Sequence, residues 1–215
     1  MQIYQLYGRV QHGEQVEGNN GNKRVQEYGY FIMKIKDQNM QPYLQKFDQI
    51  YKGKQNIDVE FLDENPLSIK YVRHNQGGKV CYCMADSNVA RLKVKDGWKK
   101  IECNGNCQYR QKDENGKSAC NRLGCLKFFI PSICKDRIFY MLITSQTTIN
   151  RLDEYFSLQK SRGNKIEGLY NLFLKQEKQS NSFGKTFNNY LVDILKKEDF
   201  ISTTNQNPKT TENRS

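Results

Sequence analysis

Short runs of β-branched and aromatic residues, each cut off by glycine, asparagine, aspartate or proline, recur along this chain and restrict it to a β-rich fold. The stretches QIYQLYGRV (2–10) and YGYFIMKIK (28–36) read as two strands joined by a Gly/Asn-rich loop at 18–22. Further strands are predicted at 56–62, 67–73, 79–84 and 88–94, punctuated by Pro66, Gly77-Gly78 and the turn at Asp86-Ser87. Within 79–84, Val80, Tyr82 and Met84 alternate with Cys81 and Cys83, the period of a half-buried strand. Two strongly apolar strands follow at 126–131 and 138–144.

Two segments depart from this pattern. Leu44, Phe47, Ile50 and Tyr51 fall at helical spacing over 40–51, with Gly53 as the stop. Ser145 or Thr147 can cap a second helix running to Arg162. Its apolar stripe is Ile149, Leu152, Tyr155 and Phe156, which turns Arg151, Glu154, Gln159 and Lys160 outward, and Gly163 ends it. Residues 166–175 and 185–195 suggest a terminal hairpin, although the second also fits a helical period. The expected fold class is therefore α+β: a predominantly antiparallel β-sheet or barrel with one or two helices and an inserted four-cysteine zinc module.

The expected organisation is a β-rich part at 1–97, a zinc-binding insertion at 98–130, and a strand–helix–hairpin part of the same domain at 131–201. Residues 202–215 hold no apolar anchor and read as a disordered tail. Hydrophobic residues make up only 37% of the chain, yet 13 Tyr, 11 Phe and one Trp can bury enough surface for a packed core. No apolar run approaches the ~18 residues of a membrane span, and the N-terminus lacks the basic flank and apolar stretch of a signal peptide. With no export signal, seven cysteines favour metal ligation in a reducing cytoplasm over disulfides.

The cysteines carry the sharpest chemistry. Cys103-Asn-Gly-Asn-Cys107 is followed, after twelve residues, by Cys120 and Cys125. Two thiolate pairs on short turns can supply one tetrahedral ion, and soft ligands without redox need suit zinc. Four protein ligands leave no open position, so the predicted zinc is structural. The spacings are x3 and x4 rather than the commoner x2, and four free cysteines in a turn-rich loop is the plainer alternative. Cys81, Cys83 and Cys134 are expected as small buried hydrophobes. His12 and His74, the only histidines, have no catalytic partner at a known spacing and are expected at the surface. No GxGxxG, phosphate-binding P-loop, HExxH or GxSxG sequence occurs, so nothing supports an enzyme.

The formal charge of +11 favours polyanions or an acidic protein surface. Between Arg91 and Lys127, ten basic residues face four acidic ones. Trp98, Tyr109, Phe128 and Phe129 lie among these charges, as a stacking surface for bases requires. Candidate contacts for a partner or nucleic acid are Trp98, Lys99, Lys100, Tyr109, Arg110, Lys112 and Arg122, with Arg151 and Lys160 on the helix. The competing account has Trp98 packing on the zinc hairpin and the lysines forming a solvated face.

The order of features resembles the larger recombination directionality factors of phage and integrative elements that work with large serine integrases. The resemblance runs over residues 3–195. It is carried by Gly8-Arg9-Val10 with Gly13, the strand at 30–35, Phe47, Tyr51-Lys52-Gly53-Lys54 and the β-stretch at 56–62. Its most specific parts are Cys103-Asn-Gly-Asn-Cys107 and the run Gly-Cys-Leu-Lys-Phe-Phe-Ile-Pro at 124–131; Cys120, the strand at 138–144, the helix and a strand at 168–174 complete it. The resemblance implies a non-catalytic regulator in the cytoplasm of a bacterial host. Its partner would be a large serine integrase on attachment-site DNA, switched from integration to excision. The residues also suit a second class, a single-stranded DNA-binding protein built on an OB-like barrel with structural zinc.

Overall fold

The computed structural model describes residues 6–17, 23–61, 65–74, 81–86, 89–103, 120–180 and 186–197. Eleven strands and two α-helices appear in the order β1 (Leu6–Glu17), β2 (Lys23–Ile35), α1 (Gln41–Tyr51), β3 (Asn56–Glu60), β4 (Leu67–His74), β5 (Cys81–Asp86), β6 (Val89–Val94), β7 (Gly97–Glu102), β8 (Asn121–Ile130), β9 (Cys134–Ile143), α2 (Gln146–Ser161), β10 (Leu169–Ser180) and β11 (Thr186–Lys196). The α+β class with two helices holds. The sheet is mixed, because β1 pairs in parallel with β9 while the other ladders are antiparallel.

Two parts of this sheet behave differently. In the first, β2, β1, β9, β8, β3, β10 and β11 follow one another around the main core. The two ends of that path approach each other: the Tyr190 N–H on β11 donates to Glu27 on β2 at 3.2 Å, and a Cβ at Gly29 would meet the Tyr190 hydroxyl at 2.9 Å. Alternate residues of each strand point inward. Val10, Phe31, Met33, Ile57, Phe128, Ile130, Phe139, Tyr170 and Leu172 are all nearly or fully buried. Each large side chain of this kind contributes roughly 1.5–3 kcal/mol on burial, which makes the barrel-like wall the thermodynamic body of the molecule.

Both helices complete that core. In α1, Phe47 and Tyr51 are buried, and the Tyr51 hydroxyl hydrogen-bonds Ser132 at 2.8 Å. In α2, Ser145 is the cap, its hydroxyl accepting from the Thr148 N–H, and Ile149, Leu152 and Phe156 are buried. Phe61 joins the helix to the wall, with ring centroids 5.3 Å from Phe156 and 4.9 Å from Tyr170. Gly124 on β8 allows the close approach of α2: a Cβ there would stand 3.2 Å from Ile149.

The second part is an extension. Outward from β8, the strands β4, β5, β6 and β7 add one after another in antiparallel pairs, and β7 forms the end. Its own apolar cluster is small: Cys83, Ala85, Ala90 and Cys103 are buried, with Tyr71, Leu92 and Ile101 packed against them.

Several sequence expectations shift. The first hairpin is longer than 2–10 and 28–36, because the polar run to Glu17 continues the ladder against Lys23. The 185–195 segment is strand β11 rather than helix, locked to β10 over eleven residue pairs from Tyr170–Lys196 to Ser180–Thr186. The ends of the expected zinc insertion are sheet strands, β7 and β8; residues 104–119 and the expected tail at 202–215 lie outside the described residues.

Candidate functional surfaces

Among the described residues, the candidate zinc ligands Cys103, Cys120 and Cys125 are not gathered at one point. Cys103 follows β7 and is buried in the small cluster that holds Cys83, Ala85 and Ala90. Cys125 sits in the middle of β8, with β4, β5 and β6 between the two strands. Four inter-strand steps separate them by roughly 19 Å along the sheet. Cys120 precedes β8, and five residues of extended chain put it roughly 17 Å from Cys125. Cys107 lies outside the described residues. No group of three metal-ligating side chains occurs among the described residues, which leave out Cys107.

The alternation in β8 explains Cys125. Leu126, Phe128 and Ile130 point into the core, which leaves Cys125 and Lys127 on the outer side. Burial raises the Cys125 thiol pKa, and the nearby Lys127 and Lys70 cations oppose that rise. Cys83 is the buried small hydrophobe expected of it. Cys134 is half-buried, its thiol donating to Asp136 at 2.6 Å. His12 departs from a surface role. Its Nδ1 is buried without a hydrogen-bond partner, and burial pulls its pKa below 6.5 against the opposing charge of Glu27. The side chain of His74 lies outside the described residues.

The candidate contacts divide three ways. Tyr109, Arg110 and Lys112 lie outside the described residues. Arg122 and Arg151 prove to be engaged within the fold. Arg122 reaches from β8 to α2, donating to Asn150 and pairing with Asp153 at 3.5 Å. Arg151 pairs with Glu177 on β10 at 2.8 Å. These two arginines link α2 to the sheet. Lys160 is exposed near the end of α2, as is Glu154. Gln159 is half-buried and accepts from Asn164 at 2.8 Å.

Trp98, Lys99 and Lys100 are exposed on β7. Strand alternation puts Trp98 and Lys100 on one face and Lys99 on the other. The register then brings Lys93 opposite Trp98 and Arg91 opposite Lys100. Val89 and Met84 share that face and are 52% and 38% exposed, beside Trp98 at 53%. Sequence reasoning grouped the charges and the indole but missed Val89 and Met84. Their signal was present in the period-2 pattern of 81–86 and 89–94, once those strands are paired.

A family model described as Gp3-like, recombination directionality factor-like, matches residues 7–196. That span takes in the barrel-like wall, the extension and both helices. The chain belongs to this family. No curated protein and no solved structure matches it.

Proposed function

We propose that this member of the recombination directionality factor-like family is a non-catalytic switch that binds a large serine integrase and turns it from integration to excision. The observation that carries the reading is the family match across residues 7–196. Such a match makes a recombinase the general class of partner. A regulator of this kind works by binding one arrangement of its partner more tightly than another. A preference of about 3 kcal/mol changes the ratio of arrangements roughly a hundredfold.

The exposed side of α2 supplies a contact surface. Glu154 and the 43%-exposed Leu158, four residues apart, share one face of a helix that Arg122 and Arg151 link to the sheet, and Lys160 is exposed near its end. Mixed charge around an apolar residue suits the charged stripe of a helical arm, where complementarity sets orientation and rate. Size-exclusion chromatography with the serine integrase encoded beside its gene tests the reading. Co-elution is expected, and Leu158→Glu with Lys160→Glu should weaken it at least tenfold. Separate elution at micromolar concentrations of both proteins counts against the reading.

Structural zinc remains part of this proposal, resting on the spacing of the Cys103–Cys107 pair. Elemental analysis of the purified chain is expected to give zinc that Cys103→Ser removes and Cys125→Ser spares, since Cys125 is held in β8. Metal lost with Cys125→Ser would restore the four-thiolate site.

A further inference from the structure

Among the described side chains, the outward face of the β5–β7 ladder is predominantly cationic. Arg91 and Lys100 are directly opposed across β6 and β7. Like charges at that position repel and weaken the strand pair. No acidic partner relieves them: among the described residues, Arg91, Lys93 and Lys100 form no salt bridge. Glu102 is the one carboxylate among the described side chains of this face, and it lies opposite Val89.

A second observation is independent of the charge. Trp98 is the only tryptophan in the chain, and it stands 53% exposed on an end strand, with Lys93 as its cross-strand neighbour. An indole costs solvation when left open, and its flat face is a stacking surface. On an antiparallel ladder, i and i+2 residues lie roughly 7 Å apart and adjacent strands roughly 5 Å apart. The three cations and the indole therefore form one grid on β6 and β7, the last two strands of the sheet among the described residues. A partner fits it if it alternates negative charge with planar apolar groups and can lie along a strand.

We propose that this face binds single-stranded nucleic acid, with Arg91, Lys93 and Lys100 holding phosphates and Trp98 stacking on an unpaired base. Such a combination of cationic track and aromatic platform is how sequence-tolerant single-strand binding is achieved. A duplex hides its base faces from an indole on a flat sheet, so duplex DNA fits less well. The site is separate from the α2 surface proposed for the integrase, and the two readings can fail separately.

Trp98, being the sole indole, reports directly on its own site. The full chain is titrated with a dT20 oligonucleotide while tryptophan fluorescence is followed at several salt concentrations. Quenching is expected, with log affinity falling against log salt at a slope of about −2 for three phosphate contacts. The double variant Arg91→Gln, Lys100→Gln should bring that slope to about −0.7. Trp98→Leu, followed by anisotropy of a labelled oligonucleotide, should weaken binding about tenfold or more. Unchanged circular dichroism shows that the variants remain folded.

Absence of quenching at 50 mM salt, or equal binding of a 20-base-pair duplex, overturns the proposal. So does a double variant that keeps oligonucleotide affinity but no longer co-elutes with integrase, which would make the face a protein contact. Loss of oligonucleotide binding in a chain that still co-elutes with integrase sinks this inference alone.

Discussion

The barrel-like wall and the β4–β7 extension are built from the same kind of antiparallel ladder, yet they differ in what lies behind each strand. Strands of the wall put Phe31, Phe128, Phe139 and Tyr170 into a shared interior that two helices complete. Strands of the extension put two alanines and two cysteines behind them. The first arrangement makes stability, because large side chains meet around a closed core. The second makes surface: a thin ladder has two broad faces, and here the outer one collects Arg91, Lys93, Trp98 and Lys100. A packed core and a broad exposed surface are thus divided between parts of one sheet, with β8 belonging to both.

The largest effect should come from the wall. Phe128→Ala removes a fully buried ring, and urea unfolding is expected to show a loss of about 3–5 kcal/mol. Cys83→Ala in the extension should cost much less, since the side chain is small and lies in a small cluster. Comparable losses at the two sites would dissolve the distinction.

Gly124 tests the junction. A Leu side chain there meets Ile149, Ile143 and Leu67 at their present positions, so Gly124→Leu should lift α2 from β8. A loss of about 1–3 kcal/mol is expected, and more if the helix separates fully. Hydrogen exchange should accelerate in α2 before it does in β10 and β11. Uniform acceleration across the chain would show that the helix is not a separable layer.

His12 gives a pH test within the first hairpin. Its folded pKa lies below the 6.5 of the exposed group, because burial disfavours the charged ring. The unfolded chain therefore binds the proton first as pH falls from 6.5, and stability drops until the folded pKa is passed. His12→Gln is expected to flatten the stability profile as pH falls below 6.5. A profile with the same slope in both proteins assigns the dependence to other groups.

The smallest effect should have the opposite sign. Arg91→Gln removes the like-charge pair with Lys100, so the melting temperature should rise slightly, by an amount worth a few tenths of a kcal/mol. A clear fall would mean that Arg91 has a structural partner.

Much of this division was legible in the sequence. The stripe of Ile149, Leu152 and Phe156 with Ser145 before it set α2 almost to the residue. The alternation Leu126, Phe128, Ile130 marked the inner face of β8. What stayed hidden had physical causes. The short spacing of Cys120 and Cys125 gave no sign that the same alternation turns Cys125 outward on a strand beginning at Asn121. The run Gly97–Glu102 has only Trp98 and Ile101 as apolar residues, too few to declare a strand that buries one thin face. The parallel pairing of β1 with β9 joins residues more than 120 positions apart, beyond the reach of any local pattern. Arg122 and Arg151 looked like surface charges because their partners, Asp153 and Glu177, are brought to them by the fold.

The central claim, a regulator that reverses the preferred direction of a serine integrase, is tested most directly by recombination with purified components. The chain is added in increasing amounts to its neighbouring integrase with two substrates, one bearing the left and right attachment sites and the other the pair used for integration. The account predicts that excision product appears and integration product falls as the chain reaches the integrase concentration. Unchanged yields of both products at a large excess of the chain would contradict it.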